Sequence, residues 1–451
     1  MPSEMSTHKR TIVTALVLIS TFFNLASQTM MVTALPVIQH TLHVSLTSAQ
    51  WLTTGYMLLI GIVTPLSSNL YDKYTNRQVF LTTTAVFILG TLLGSFATNF
   101  GMLLTARLLQ ACAGGILMSF QMTTMVTIYP AEKRGTVLGM SGLVIASGPA
   151  IGPTIAGLIL NYFDWHYLFT LILPFIILIW LIAYFVFPNY SKRRAVRIDL
   201  LSVLLSLAGS SLTLASLTVF QQSFMFGLIM LIAGLGFLTI FTRRQFSLTE
   251  PMLRVSLLKL RSFRMLTFIG VFAFMVLIGT EQIIPIFVEN IAGLSSMHAG
   301  LILLPGAVAN ALFAALAGRY YDTHGPKVLI STGIFLMLLA TIPFITISVQ
   351  TPIWLITCAY MLRMIGNALV FSPAMSEAFK DVALPHISHA TALNNTFRQV
   401  AASVSVTLMI VIADSPSSFV TGTRLAIWFT VLILIIMGTL FHSYLKYPAK
   451  K

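Results

Sequence analysis

Long uninterrupted apolar runs recur from one end of this chain to the other, and they constrain the fold more than any other feature. A helix needs about 20 apolar residues to cross the ~30 Å hydrocarbon core of a bilayer. Fourteen runs approach or exceed that length, near 11–34, 48–70, 79–98, 103–129, 136–160, 166–188, 199–220, 225–243, 264–288, 298–320, 327–348, 352–376, 388–413 and 423–444. Only 8% of the residues are charged, against about 25% in a soluble domain, so the expected class is an all-α polytopic membrane protein. The first run follows Lys9 and Arg10. At about 24 residues it is too long for the apolar core of a cleaved signal and is expected to remain as a span.

A net charge of +14 would suit a nucleic-acid binder, but the distribution of charge excludes that partner. Of 26 Lys and Arg residues, 22 fall in alternate connections on one side; the exceptions are Arg107, Arg363, Arg398 and Arg424. Under the positive-inside rule that side is cytoplasmic. Both termini are then cytoplasmic, which requires an even number of spans. Cys112 and Cys358 lie within apolar runs, and neither they nor the histidines have metal-ligand spacing. His386 and His389, at a span start, read as loop residues. No phosphate-binding loop ending in Lys-Ser or Lys-Thr occurs, so no nucleotide or other cofactor is expected and an ion gradient must drive any transport.

Interior charge carries the candidate chemistry. Glu281 lies inside the run Met265–Val288, about 10 Å from its end at helical rise. An ionised acid there costs roughly 3 kcal/mol or more unless it meets a wet cavity or a partner. Glu281 is therefore the candidate proton-coupling group; the plain alternative is a side chain that only hydrogen-bonds a neighbouring helix. Arg107, Arg363 and Arg398 are interior cations, and one of them is expected to neutralise Glu281 when it is deprotonated. Arg107, about one turn from the outer face, is placed to snorkel toward water and to tune that acid. Gln28, Asn367, Asn394, Asn395 and Gln399 are expected to add polar groups to a central cavity.

A repeat organises the chain. Asp72-Lys73-Tyr74-Thr75-Asn76-Arg77 after the second run is echoed by Asp322-Thr323-His324-Gly325-Pro326-Lys327 after the tenth, at an offset of 250 residues (322 − 72). The division is a six-helix bundle over 1–190, two inserted helices with basic linkers over 191–263, and a second six-helix bundle over 264–451. The linker around Met252–Leu260 reads as amphipathic and is expected to lie on the anionic inner leaflet. Asp72, Lys73 and Arg77, with Asp322 and Lys327, are expected to form a cytoplasmic gate, because an acid at a loop start can pair with bases and with helix N-termini.

Several stretches resemble a known family. Ser68–Arg77 resembles the major facilitator loop motif G-x-x-x-D-[RK]-x-G-[RK]-[RK], with both glycines and one basic position replaced. Arg107-Leu108-Leu109-Gln110-Ala111 resembles that superfamily's R-x-x-Q-G. The stretch from Gly139 to Gly157 is similar to the antiporter motif G-x8-G-P-x3-G-P-x3-G, one residue shorter between its two Gly-Pro pairs, and is carried here by Gly142, Gly148, Pro149, Gly152, Pro153 and Gly157. Small residues there permit close helix approach. Trp51–Tyr56, Leu303-Leu304-Pro305-Gly306 and Asn394–Val400 look like the fourteen-span drug:proton antiporters. The resemblance implies a major facilitator fold of 14 transmembrane helices arranged 6 + 2 + 6, without enzymatic activity. It implies a monomeric, multi-pass protein of a bacterial cytoplasmic membrane that exchanges protons for small amphipathic or cationic compounds by alternating access, as in antibiotic resistance. Many members carry an acid shortly before the Ala34-Leu35-Pro36 position; here that residue is Ser27, which leaves Glu281 as the coupling candidate. Two alternatives stay open: an exporter of an endogenous lipid or metabolite, with Na⁺ coupling, and, more distantly, a non-transporting receptor.

Overall fold

The computed structural model describes residues 5–44, 46–190, 199–220, 223–248, 251, 253–290, 296–414 and 418–446. Among them the regular elements are α-helices and short 3-10 turns. The helices of the first half are α1 (Thr7–Thr41), α2 (Leu46–Val63), α3 (Leu66–Lys73), α4 (Asn76–Ser95), α5 (Phe100–Ile128), α6 (Arg134–Tyr162), α7 (Tyr167–Thr170) and α8 (Leu173–Val186). Then come α9 (Leu200–Val219) and α10 (Phe224–Ser247). The second half holds α11 (Arg261–Asn290), α12 (Ser296–His324), α13 (Lys327–Ile345), α14 (Ile353–Lys380), α15 (Ile387–Asp414) and α16 (Phe419–Lys446).

Local chemistry sets the ends of these elements. Thr75 opens α4 with a reciprocal capping box to Gln78, Asn99 caps α5 through Met102 N, and Asp199 caps α9 through Ser202 N. Gly325 follows α12 with φ of 74°, and its N–H closes on the Tyr321 carbonyl at 2.9 Å. That left-handed position suits glycine, and Pro326 then prevents the helix from continuing. The run at 48–70 was expected as one continuous span, yet it divides into α2 and α3 with a bend of 51°. Pro65 has no N–H to continue the ladder at that point. The run at 166–188 likewise breaks, and Pro174 sits in the first turn of α8.

Eleven helices among the described residues are long and apolar enough to cross a membrane, or twelve when α2 and α3 count as one bent span. The runs expected at 136–160 and 199–220 fall on α6 and α9, whose described apolar stretches are shorter: Arg134–Ile145, Ile151–Tyr162 and Leu200–Thr213. By this measure the described residues give eleven or twelve of the fourteen spans expected.

The long helices pack as two groups, α1–α8 and α11–α16, joined chiefly by α6 against α12 and by α15 against α2, α3 and α5. Helix α11 is the core of its group, with most of its apolar length buried, whereas little of α10 is covered. The uncovered faces carry Phe224, Phe226, Phe335 and Trp354, as lipid contact requires. Helices α9 and α10 pair with each other, and α9 rests on α2. Arg244 Nε and Nη2 donate to the two Asp199 oxygens at 2.7 and 3.0 Å, closing the far end of α10 onto the start of α9. The linker expected to lie on the membrane surface behaves differently. Its 3-10 turn Val255–Lys259 packs on α10 and α11, and Leu253 and Leu257 are buried in the protein rather than presented to lipid. Residues 191–198, where the first basic linker was expected, lie outside the described residues, as does Met252.

Candidate transport site and gate

Glu281 occupies the later part of α11, and Pro285 follows it four residues on. Without a proline N–H, the Glu281 carbonyl has no partner in the helical ladder. The half-buried carboxylate accepts a hydrogen bond of 3.4 Å from the Tyr360 hydroxyl of α14. Tyr360 is seated by Gly306 of α12, where a Cβ would collide with the tyrosine ring. The Leu303–Gly306 motif thus finds a local purpose: its glycine makes room for the ring that reaches Glu281.

The expected neutralisation of Glu281 by an arginine is not found. Among the described residues no ion pair joins it to Arg107, Arg363 or Arg398, because each guanidinium is held in a separate cage. Arg107 lies over the Tyr56 ring at 4.1 Å. It donates from Nε to the Leu52 carbonyl, and from Nη1 to Ser27 and to Gln110 Oε1. All of these partners belong to the first half. Arg107 is completely buried, so it does not snorkel; aromatic stacking and backbone carbonyls replace water as its surroundings. Ser27, at the position where the resembling family carries an acid, is thus in direct contact with an interior arginine. Arg363 donates from Nη1 to Thr341 Oγ1 at 3.0 Å. Arg398 is enclosed by the rings of Phe274 and Phe371, at 4.3 and 4.8 Å from their centroids, and donates to Asn395 Oδ1.

The polar residues expected to line one cavity are distributed more widely. Asn395 Nδ2 bonds Ser119 Oγ at 3.2 Å, while Asn394 and Gln399 reach the sulfurs of Met122 and Met118. These three form a face of α15 that meets α5 across the two halves. Asn367 borders a narrow cavity with Gly142 and Ile145 of α6 and with Phe274, Phe371 and Ser372. Gln28 is half-buried on α1.

The two repeated aspartates join the halves at the end that carries the basic loops. Asp322 accepts from the Gly135 and Thr136 backbone N–H groups at 2.7 and 2.8 Å, and from Thr136 Oγ1 at 2.6 Å. These are free donors of the first turn of α6. Asp72 accepts from Ser388 Oγ at 3.2 Å and pairs with His389 Nε2 at 3.2 Å, in the first turn of α15. One offset of 253 residues (388 − 135 and 389 − 136) relates the two sets of partners. His389 is therefore a buried residue of α15 that joins the halves, and not the loop residue its place in the sequence suggested.

The basic members of the expected gate do not take part. Lys73 lies over the Tyr74 ring at 5.6 Å. Arg77 donates to the Tyr184 carbonyl and lies over its ring, and its backbone N–H donates to Asn189 Oδ1, tying α4 to α8 and the residues after it. Lys327 is exposed at the start of α13. Helix N-terminal donors satisfy the aspartates, so the lysines and arginine remain in solvent or against rings. A second cluster at this end was not anticipated: Tyr321 and Tyr444 donate to Glu377, whose other partner is Lys380 at 3.5 Å. These residues lie on three helices, and no local spacing marks them.

The antiporter-like motif of α6 divides its work. Gly148 and Gly152 pack on Leu25, Ala26 and Thr29 of α1, and Thr29 Oγ1 donates to the Gly148 carbonyl at 3.3 Å. Gly142 faces Ala314 across the halves at ordinary contact distance, while nothing lies close to Gly157. Pro149 and Pro153 remain within α6. A close crossing of the halves lies at the start of this stretch and just before it, where Gly139 and Gly135 of α6 meet Gly318 and the Ala314 carbonyl of α12.

Residues 17–406 match the sequence model of the Major Facilitator Superfamily. The chain belongs to that superfamily. It is 34% identical over 459 residues to the uncharacterized MFS-type transporter YcnB of Bacillus subtilis, covering 99% of this chain and 97% of that one. It is 32% identical over 401 residues to the lincomycin resistance protein LmrB of Listeria monocytogenes, covering 88% and 85%. The fold is similar to the crystal structure of the human organic anion transporter MFSD10, with a TM-score of 0.73 at 12% identity over 96% and 99% of the two chains. At that identity the likeness concerns the fold alone. The chain is thus a major facilitator transporter and not an enzyme.

Proposed function

We propose that this protein is a proton-coupled antiporter that exports amphipathic compounds, drugs among them, across the cytoplasmic membrane by alternating access. In this reading α6 and α9 also cross the bilayer and complete fourteen spans, with the basic loops and both termini in the cytoplasm. Named resistance proteins among the relatives support the export of toxic compounds. The observation that carries the coupling is Glu281. It is an acid well inside a membrane helix, half-buried, with one tyrosine hydroxyl as its partner rather than a fixed cation. A carboxylate without a permanent counter-charge can gain and lose a proton as its surroundings alternate between wet and dry.

In the cycle so inferred, protonation of Glu281 from outside accompanies substrate release, and proton loss to the cytoplasm restores the loading form. The paired aspartate contacts would hold the cytoplasmic end shut while the other end is open. The deciding experiment uses proteoliposomes with an acidic interior and follows uptake of a fluorescent amphipathic probe. Gradient-dependent uptake that an uncoupler collapses and Glu281→Gln abolishes is expected. Full gradient-driven uptake by Glu281→Gln would remove Glu281 from the mechanism.

A further inference from the structure

The balance of interior charge is strongly positive. Among the described residues, Glu281 is the one carboxylate placed more than a turn from a helix end; Asp72, Asp322, Glu377 and Asp414 all lie in the last turn of their helices. Opposing it are Arg107, Arg363 and Arg398, each essentially inaccessible to solvent and none ion-paired with an acid among the described residues. A guanidinium stays charged in a protein, and a buried charge without a counter-charge is strongly unfavourable. Aromatic stacking and single neutral acceptors offset only part of that cost.

The three arginines differ in which N–H groups remain available. Arg107 uses Nε and Nη1 and leaves only Nη2 open. Arg363 and Arg398 each use Nη1, and in both the buried Nε and Nη2 have no acceptor among the described residues. Nε and Nη2 form one edge of the guanidinium, where two parallel N–H bonds match the two oxygens of an acidic group. The aromatic surroundings of Arg398 border a space between the halves. The two rings that enclose it, Phe274 and Phe371, line the narrow cavity that Gly142 closes from the other half. The Asn367 amide oxygen and the Ser372 hydroxyl on the same wall also lack partners.

We propose that the compound carried is an amphipathic organic anion, and that its acidic group docks on the free edge of Arg398 while its apolar body packs against Phe274 and Phe371. This rests on the exporter reading above and narrows its cargo. The aromatic pair holds the guanidinium flat and excludes water, so the bidentate contact would form in a low-dielectric setting where charge recognition is strongest. A cation entering the same space would meet uncompensated like charge.

The test separates the anion site from the transport reading. Binding of dansyl-phenylalanine, a carboxylate, and of its uncharged primary amide is measured by calorimetry on the full-length protein in detergent. The carboxylate is expected to bind about tenfold tighter or more. R398Q should erase that preference, and R398K should keep part of it, as a point charge without the fork. Equal affinity of the unaltered protein for both compounds overturns the proposal without recourse to any variant, as does a preference that survives in a folded R398Q. Uptake of the carboxylate and of ethidium, an aromatic cation, is then followed in vesicles under a pH gradient. Preferential carboxylate binding without gradient-driven movement of either probe keeps the anion site and defeats the exporter reading. Ethidium transport with no preferential carboxylate binding does the reverse.

Discussion

Gly306 lacks a side chain where the Tyr360 ring needs the space, and Tyr360 in turn supplies the one hydrogen bond that Glu281 receives. Two substitutions separate packing from chemistry in this chain of contacts. Gly306→Ala must push the ring aside, an overpacking cost of about 1–3 kcal/mol, and is expected to lower the melting midpoint as well as transport. Tyr360→Phe keeps the ring and removes only the hydroxyl. It should leave the midpoint within a few degrees while altering the pH dependence of gradient-driven uptake. If both variants lose stability equally and neither changes the pH profile, the Tyr360–Glu281 contact has no part in coupling. Glu281 itself was legible in the sequence, as the one carboxylate deep inside an apolar run. Its partner was not, because a tyrosine 79 residues away on another helix leaves no local trace.

At the level of helices, the two aspartate clamps look equivalent in sequence and differ in chemistry. Asp322 is held by backbone donors that no substitution of side chains removes, together with one threonine hydroxyl. Asp72 is held by the side chains of Ser388 and His389. Spin labels at the exposed Tyr74 and Leu384 report the second clamp. His389→Gln or Asp72→Asn is expected to shift the population toward longer distances by about tenfold, since a hydrogen bond to a charged group contributes roughly 1.5–3 kcal/mol. Labels at Lys133 and His324 report the first, where Thr136→Ala should have a smaller effect than either. Unchanged distances in Asp72→Asn would show that the clamp does not hold the halves together.

The helix pair α9–α10 has its own acid test. The two hydrogen bonds from Arg244 hold the Asp199 carboxyl well below the usual carboxylate range. A depressed pKa in the folded state means the contribution is present above about pH 4 and is lost as pH falls below it. Asp199→Asn should therefore melt lower than the parent at neutral pH, and the two curves should converge in acid. Parallel curves at every pH would show that the pair contributes nothing. Apolar length located these helices, but the bend at Pro65 sits inside an unbroken apolar run. The pairing of clamps with helix starts likewise spans 186 to 316 residues, beyond any local spacing rule.

Over the whole molecule, the halves meet along two unlike seams. Helix α6 touches α12 backbone to backbone at Gly135, Gly139 and Gly318, while α15 meets α5 through Asn394, Asn395 and Gln399. The antiporter-like glycines Gly148 and Gly152 pack α1 against α6 inside one half, which favours movement of that half as a unit in the proposed cycle. The three interior arginines give that movement an electrical side. A carrier that alternates its opening moves the membrane field across whatever fixed charge it holds, at about 2.3 kcal/mol per charge per 100 mV. With three guanidiniums and one carboxylate inside, an inside-negative potential would, in the exporter proposed above, favour the empty form whose site opens to the cytoplasm. Binding of an anion cancels part of that charge and releases the loaded form from the bias. Substrate-free protein in a voltage-clamped membrane should then show a transient displacement current that R398Q diminishes and a bound anion suppresses; a current insensitive to both would place the moving charge elsewhere. The membrane potential thus acts as a return spring, spending its force on the empty carrier and sparing the full one.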